Sequence, residues 1–163
     1  MLKPGNTAPL FTLPDADMAP VGLADFRGKH NVVLFFYSKD GTPSCILEAT
    51  DFSDHEEAFQ KHDCIALGIS RDDCLKHAEF RDQHGISVPL LSDADGRVCR
   101  QYGVWQEKEA NETEKAAGGT KRFGIVRSTF IIDKRGTLLD ALYGVNPKGH
   151  VADILYRLKE LKL

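Results

Sequence analysis

The sequence lacks the features that identify membrane, secreted and nucleic-acid-binding proteins. Its 163 residues carry a formal charge of -3, so no basic excess indicates binding to nucleic acid or to an anionic membrane. The N-terminus has no apolar signal segment, and no hydrophobic run approaches the length that crosses a membrane. We therefore expect a cytoplasmic protein.

Cysteine is also scarce. The chain contains only Cys45, Cys64, Cys74 and Cys99, which are too few and too scattered for a disulfide scaffold. No C-x-x-C pair or paired-histidine spacing supports zinc, and there is neither a Gly-rich phosphate loop nor a G-x-S-x-G motif. We expect no metal and no organic cofactor.

The pattern of apolar residues predicts a layered α/β fold, with residues 1–163 as one domain. Val32–Tyr37 (strand), Pro43–Lys61 (helix) and Cys64–Ile69 (strand) form a βαβ unit with parallel strands. The remaining predictions are helices over Asp72–His84, Val98–Tyr102 and Val151–Leu161, strands over Val88–Leu91, Arg127–Asp133 and Thr137–Tyr143, and an exposed, mobile loop over Glu107–Thr120.

Cys45 follows the first predicted strand, at the start of a helix. Pro43 is a residue type favoured in the first turn of a helix. The backbone N–H groups of that turn have no intrahelical acceptor, and together with the helix dipole they favour a thiolate over a thiol. The position predicts a reactive cysteine at the carboxyl edge of the parallel strands, where α/β sheets place their sites.

Five segments of the chain occur together, in this order, in one known family. They are F-F-Y-S-K-D-G-T-P-S-C-I-L-E-A, G-I-S-R-D, P-L-L-S-D, Y-G-V-W-Q-E-K and I-V-R-S-T-F-I-I-D. In these segments the chain resembles the peroxiredoxins of the bacterioferritin-comigratory (Q) type, within the AhpC/TSA superfamily. The resemblance implies a thioredoxin-like fold, that is, a three-layer α/β/α arrangement with a central mixed sheet. It also implies a thiol peroxidase that reduces hydrogen peroxide and organic hydroperoxides.

The resemblance further implies the site residues. Cys45 would be the peroxidatic cysteine, and Thr42 and Arg127 would complete the active site. Pro43 would shape the loop, and Glu48 would hold Arg127. These residue types suit the reaction, because a thiolate that attacks one peroxide oxygen leaves negative charge on the other, which a hydroxyl and a guanidinium can stabilise.

The chain departs from the family pattern near the thiol and at the second cysteine. Ser38 stands where the family usually has proline, which removes an apolar shield from the thiol, and Ser44 stands where glycine is common. Thr50 and Arg81 occupy the two familiar positions of the partner cysteine.

Cys74 is our candidate for the resolving cysteine. It begins the helix after the second parallel strand, so it emerges at the same rim of the sheet as Cys45. Neighbouring strands lie about 4.8 Å apart, which places the two helix starts within one conformational step of each other. It also precedes Arg81 by two helical turns on the same face. Thioredoxin or a glutaredoxin-like protein would then reduce the disulfide. The alternative is a one-cysteine cycle with an external thiol, and we interpret Cys64 and Cys99 as packing residues.

Two other functions stay open. A non-cycling redox sensor or holdase would keep the fold while Ser38 and the missing partner cysteine weaken turnover. A monothiol disulfide oxidoreductase is disfavoured, because Thr42-Pro43-Ser44-Cys45 supplies one cysteine where C-x-x-C needs two. We expect a monomer or weak dimer whose partners are a peroxide and a thiol reductant, without nucleic acid or membrane.

Overall fold

The computed structural model describes residues 1–110 and 112–163. Within these residues no helix is both long and apolar enough to cross a membrane. The elements in chain order are β1 (Thr12–Pro14), β2 (Pro20–Gly22), a 3-10 helix (Leu23–Phe26), β3 (Asn31–Phe36), α1 (Pro43–Asp54), α2 (Glu56–Gln60), β4 (Cys64–Ser70), α3 (Cys74–His84), β5 (Leu90–Ser92), α4 (Arg97–Gln101), β6 (Trp105–Glu109), α5 (Glu112–Ala116), β7 (Lys121–Ile125), β8 (Ser128–Ile132), β9 (Leu138–Tyr143) and α6 (His150–Glu160).

A five-stranded mixed sheet with the order β5-β4-β3-β8-β9 organises the structure. β3 pairs in parallel with β4, and β4 pairs in parallel with β5. β8 runs antiparallel to β3 on the other side and continues into the antiparallel β9. Every residue of β3 is buried, as expected for a strand covered on both faces. The predicted βαβ unit, terminal hairpin and mixed sheet are confirmed.

Successive β3 side chains point to opposite sides of the sheet, so both of its faces are apolar, and helices cover both. Val33 and Phe35 pack into one core, together with apolar residues of α1, α2, α3 and α6. Val32 and Leu34 pack into the other, which includes residues of α4, the 3-10 helix and the N-terminal segment. The two cores give the predicted three-layer α/β/α fold.

Aromatic packing across β3 and β4 positions α1, and therefore its first turn. The Phe35 ring stacks on Phe52 of α1 with ring centroids 4.3 Å apart. Gly68 of β4 leaves room for that ring, since a Cβ at this position would lie 2.7 Å from Cζ of Phe35. The absence of a side chain in β4 thus allows α1 to pack closely on the sheet.

The prediction of one helix over Pro43–Lys61 is wrong. α1 ends at Asp54, and α2 starts at Glu56 after a break at His55, whose backbone angles are φ -108 and ψ 14. The His55 ring contributes to the break, because its Nδ1 lies 2.8 Å from the carbonyl oxygen of Asp51. That carbonyl would otherwise accept the next helical N–H.

The stretch Glu107–Thr120, predicted to be an exposed and mobile excursion, is exposed at most of its described residues, but it contains regular structure. β6 reaches Glu109 and pairs antiparallel with β7, and the short helix α5 lies between them. Asn111, within the same stretch, lies outside the described residues. The sequence pattern did not predict the pair of β6 and β7, because these strands expose much of their side-chain surface. They therefore lack the apolar alternation by which a strand is identified. The N-terminal pair of β1 and β2 was not predicted for a related reason, since each strand has three residues.

Candidate active site

The N-terminus of α1 positions Cys45 at the end of β3. Thr42 is the N-cap, Pro43 is the first helical residue, and Cys45 follows two residues later with 1% of its surface exposed. The Thr42 hydroxyl accepts a hydrogen bond from the Cys45 amide at 3.3 Å and lies 3.5 Å from the carbonyl oxygen of Lys39. Thr42 therefore stabilises the turn that presents the thiol. The Cys45 amide, one of the first-turn N–H groups without an intrahelical acceptor, thus donates to the Thr42 side chain.

One guanidinium joins the thiol to a buried carboxylate. Arg127, between β7 and β8, donates from Nη2 to Cys45 Sγ at 3.2 Å. Its Nη1 donates to Glu48 Oε1 at 2.8 Å. The Glu48 side chain is fully buried, and that of Arg127 is 14% exposed. The structure thus brings Arg127 into contact with two residues of α1 that are far from it in sequence, with a cation directly beside the sulfur.

Burial and ion pairing have opposite effects on the pKa of Glu48, and also on the pKa of Arg127. Burial raises the pKa of Glu48 to about 7, although Arg127 opposes this change. Among the described residues, Glu48 Oε2 is buried without a hydrogen-bond partner, which adds to the cost of its charge. Burial disfavours the charge of Arg127, but Glu48 and Cys45 together keep its pKa above the ordinary value. The guanidinium therefore stays charged, and the carboxyl is the group that titrates near neutral pH.

A cleft of about 530 Å³ with cationic residues in its lining lies beside the thiol and is lined in part by Ser38. The Ser38 hydroxyl oxygen lies 3.8 Å from Cys45 Sγ. The cationic residues that line the cleft are Lys39, Arg71, Lys108 and Arg122. Burial, with Arg122 and Arg127 nearby, lowers the pKa of Lys108. Ser38, at the position where the family usually has proline, therefore contributes to both the cleft and the surroundings of the sulfur.

Cys74 is the first residue of α3 and is partly exposed. All four cysteines are free thiols. The loop before α3 contacts the loop before α1, because the Asp40 amide donates to Asp72 Oδ2 at 2.7 Å. The two helix starts that carry Cys45 and Cys74 therefore belong to neighbouring segments at one rim of the sheet. At the familiar partner positions, Thr50 lies within α1, and Arg81 pairs with two aspartates on the surface.

Cys64 and Cys99 lie in the core, as predicted. Their exposed fractions are 2% and 0%. Burial, with a smaller effect of Asp63, raises the pKa of Cys64 to about 12. Burial and Asp93 raise the pKa of Cys99 as well. Neither thiol forms a nucleophilic thiolate readily in this environment.

Sequence reasoning missed a buried polar group beside the thiol loop. The Tyr37 hydroxyl donates to Asp40 Oδ1 at 2.7 Å, and the fully buried His77 of α3 has Nδ1 2.6 Å from Asp40 Oδ2. An isolated histidine in a helix carries no sequence signal of this kind. Only the pairing of β3 with β4 and the packing of α3 bring these residues together.

The sequence matches those of known proteins over most of its length. The profile of the AhpC/TSA family matches residues 4–141. Peroxiredoxin Bcp of Bacillus subtilis is 38% identical over 157 residues, which cover 96% of this chain and 95% of that protein. Peroxiredoxin Bcp of Escherichia coli is 36% identical over 159 residues, covering 98% of this chain and 97% of the relative.

Solved structures show the same fold. The bacterioferritin comigratory protein of Xanthomonas campestris, whose trapped intermediate and ligand complexes concern alkyl peroxide reduction, aligns with a TM-score of 0.84 and 31% identity over 98% of this chain and 96% of its own. A cysteine-to-serine mutant of PrxQ from Xylella fastidiosa aligns with a TM-score of 0.88 and 28% identity, over 100% of this chain and 99% of its own. The chain therefore belongs to the AhpC/TSA family, as a peroxiredoxin of the bacterioferritin-comigratory (Q) type.

Proposed function

We propose that Cys45 carries the thiol peroxidase activity of this peroxiredoxin and that its substrates are hydrogen peroxide and organic hydroperoxides. The observation that supports this most directly is the 3.2 Å contact between Arg127 Nη2 and Cys45 Sγ, with Glu48 holding the other arm of the guanidinium. The alkyl peroxide reduction activity of the related Xanthomonas campestris protein agrees with this substrate class.

In the first step the Cys45 thiolate attacks one oxygen of the peroxide. A sulfur–oxygen bond forms, the oxygen–oxygen bond breaks, and the leaving alkoxide or hydroxide takes up a proton to become an alcohol or water. The sulfur is oxidised to a sulfenic acid. Arg127 fixes the sulfur and balances the negative charge that develops on the oxygens, and Glu48 keeps the guanidinium in place.

The magnitudes show why these contacts are needed. An ordinary cysteine is roughly 3% thiolate at neutral pH, so complete ionisation gains at most about 30-fold. Enzymes typically accelerate reactions by about a millionfold or more, so roughly 6 kcal/mol must come from groups that act on the transition state. Arg127 and the Ser38 hydroxyl beside the sulfur, together with the Thr42 hydroxyl at the Cys45 amide, are candidates for this contribution.

In the second step, we propose, the Cys74 thiol attacks the sulfenic sulfur and releases water, which forms a Cys45–Cys74 disulfide. A protein dithiol such as thioredoxin or a glutaredoxin-like protein then reduces the disulfide by exchange. The partly exposed position of Cys74 at the start of α3, next to the loop of Cys45, supports this assignment. In the alternative cycle an external thiol attacks the sulfenic acid directly.

Peroxide consumption in the presence of thioredoxin, its reductase and NADPH tests the proposal. We expect Cys45→Ser to abolish consumption, and Cys74→Ser to form the sulfenic acid but to lose thioredoxin-supported turnover. Cys64→Ala, at a buried thiol outside the site, is the matched control and should turn over normally. Full activity of Cys45→Ser would overturn the proposal. Full activity of Cys74→Ser would assign the second step to an external thiol, and consumption of a single equivalent by the unmodified chain would indicate a sensor.

A further inference from the structure

Both ring nitrogens of the buried His77 face hydrogen-bond acceptors. Nε2 lies 3.0 Å from the carbonyl oxygen of Leu91, and Nδ1 lies 2.6 Å from Asp40 Oδ2. A carbonyl oxygen only accepts, so Nε2 carries a proton, and a neutral imidazole has no second N–H to offer the carboxylate. The side chains of His77 and Asp40 are 0% and 6% exposed. This geometry fits an imidazolium that donates from both nitrogens, with the Asp40 carboxylate as its counter-ion.

The surrounding groups complete the pair. The Tyr37 hydroxyl donates to the second Asp40 oxygen and lies 3.4 Å from His77 Nδ1. Burial first, and then the Asp40 charge, raises the pKa of Tyr37 well above its ordinary value, so the phenol keeps its proton. Among the described residues, Asp72 is a second acidic group close to His77, and its Oδ2 already accepts from the Asp40 amide and from the Ser70 hydroxyl, each at 2.7 Å. These groups satisfy one another directly, so the cluster is complete without a cation.

The pair of Asp40 and His77 connects the loop before Cys45 to α3 and, through the contact of the ring with the Leu91 carbonyl, to β5. Asp40 lies between Ser38, which contacts the sulfur, and Thr42, which caps α1. His77 lies in α3, one turn after Cys74, and its ring also binds the backbone of β5. Loss of the pair would free the loop that places Ser38 and Thr42 around Cys45. It would also loosen the second turn of α3.

We propose that His77 is a positioning residue for the peroxidase reaction: its positively charged ring holds Asp40, and with it the loop before Cys45, against α3. This inference rests on the proposed role of Cys45. The aligned loop favours attack on the peroxide. Cys45 is 1% exposed and its sulfur contacts Arg127 in the aligned loop, so an approaching Cys74 thiol needs the first turn of α1 to move. The pair therefore assists the first step and opposes the second.

The protonation state can be tested on the unmodified protein. Long-range ¹H–¹⁵N NMR near neutral pH, with His77 assigned by its loss in His77→Asn, should show both ring nitrogens at imidazolium chemical shifts. An unprotonated Nδ1 in the unmodified protein would overturn the proposal.

The positioning role can be tested by measuring the two steps separately. For Asp40→Asn, which keeps the size and removes the charge, we expect sulfenic acid to form at Cys45 about tenfold more slowly, since small misplacements of reacting groups cost factors of this order. The next step, whether disulfide formation or reduction by a thiol, should be no slower. The matched control is Asp63→Asn, which removes the half-exposed pair of His30 and Asp63 (2.9 Å) at the opposite end of β3 and β4 and should behave as the unmodified chain.

The outcomes of these rate measurements distinguish failure of this inference from failure of the proposed function. An unmodified rate of sulfenic acid formation in Asp40→Asn overturns this inference alone. Slowing of both steps by the same factor indicates general damage to the fold and overturns the positioning role. Absence of sulfenic acid at Cys45 in the unmodified chain overturns the proposed function, and this inference with it.

Discussion

Replacement of Glu48 by glutamine is expected to stabilise the protein above neutral pH while it weakens the active site. The Glu48 side chain is fully buried, and its Oε2 has no partner among the described residues. Burial raises its pKa from 4.5 to about 7, so burial outweighs the attraction of Arg127. Each pKa unit corresponds to about 1.4 kcal/mol, so the charged carboxylate costs the folded state about 3 kcal/mol. Glutamine keeps the shape and avoids that cost.

The direction of the pH dependence follows from the raised pKa. The pKa of Glu48 is higher in the folded than in the unfolded chain. Its contribution to the free energy of unfolding is therefore fully present below the unfolded value of 4.5 and is lost as the pH rises through about 7. Glutamine does not ionise, so the variant keeps the stability that the unmodified protein loses. We expect no difference in the free energy of unfolding near pH ~4 and a difference of about 3 kcal/mol near pH ~8.5.

Urea unfolding of both proteins at the two pH values, with reductant present, measures this difference. Glu79→Gln, at an exposed glutamate of α3, is the matched control and should change the free energy of unfolding by no more than about 0.5 kcal/mol at either pH. A Glu48→Gln variant that is less stable at high pH would show that the ion pair with Arg127 outweighs burial, and a difference independent of pH would refute the reasoning as well.

Three further predictions concern the site and its support. Arg127→Lys should slow sulfenic acid formation about 100-fold in stopped-flow measurements, because one ammonium cannot contact both the sulfur and Glu48 as the guanidinium does; an unchanged rate would contradict the proposed role. Thr42→Val should lower the free energy of unfolding by about 1 kcal/mol through loss of the helix cap, whereas Thr42→Ser should retain it; equal stability of the two variants in chemical denaturation would contradict the capping role. Gly68→Ala should destabilise the protein by about 1–3 kcal/mol in thermal unfolding, because the added Cβ would lie 2.7 Å from the Phe35 ring; an unchanged stability would show that the ring can move away.

The central sheet could be predicted from the sequence because its strands are short apolar runs. Val32–Tyr37 and Cys64–Ile69 lie within one residue of β3 and β4 at each end. The break at His55 could not be predicted, since it depends on a side chain that competes for one carbonyl. The pair of β6 and β7 was missed because its strands expose much of their surface, so cross-strand hydrogen bonds define it more than an apolar pattern does.

In the candidate site, too, some positions follow from local sequence rules and others depend on tertiary packing. The positions of Cys45 and its cap Thr42 follow from local rules for the start of a helix. Arg127 lies 82 residues from Cys45, and only the resemblance to a family connected the two before the structure placed them in contact. The pair of Asp40 and His77 had no local pattern at all, because tertiary packing alone determines which acceptors a buried histidine meets.

The central claim is that Cys45 is the thiol that cleaves the peroxide. Treatment of the reduced protein with one equivalent of hydrogen peroxide in the presence of dimedone, followed by mass spectrometry of its peptides, tests this directly. We predict a dimedone adduct at Cys45, and no adduct at Cys64 or Cys99. An adduct at another cysteine with Cys45 unmodified and outside any disulfide, or peroxide consumption without oxidation of Cys45, would contradict the account.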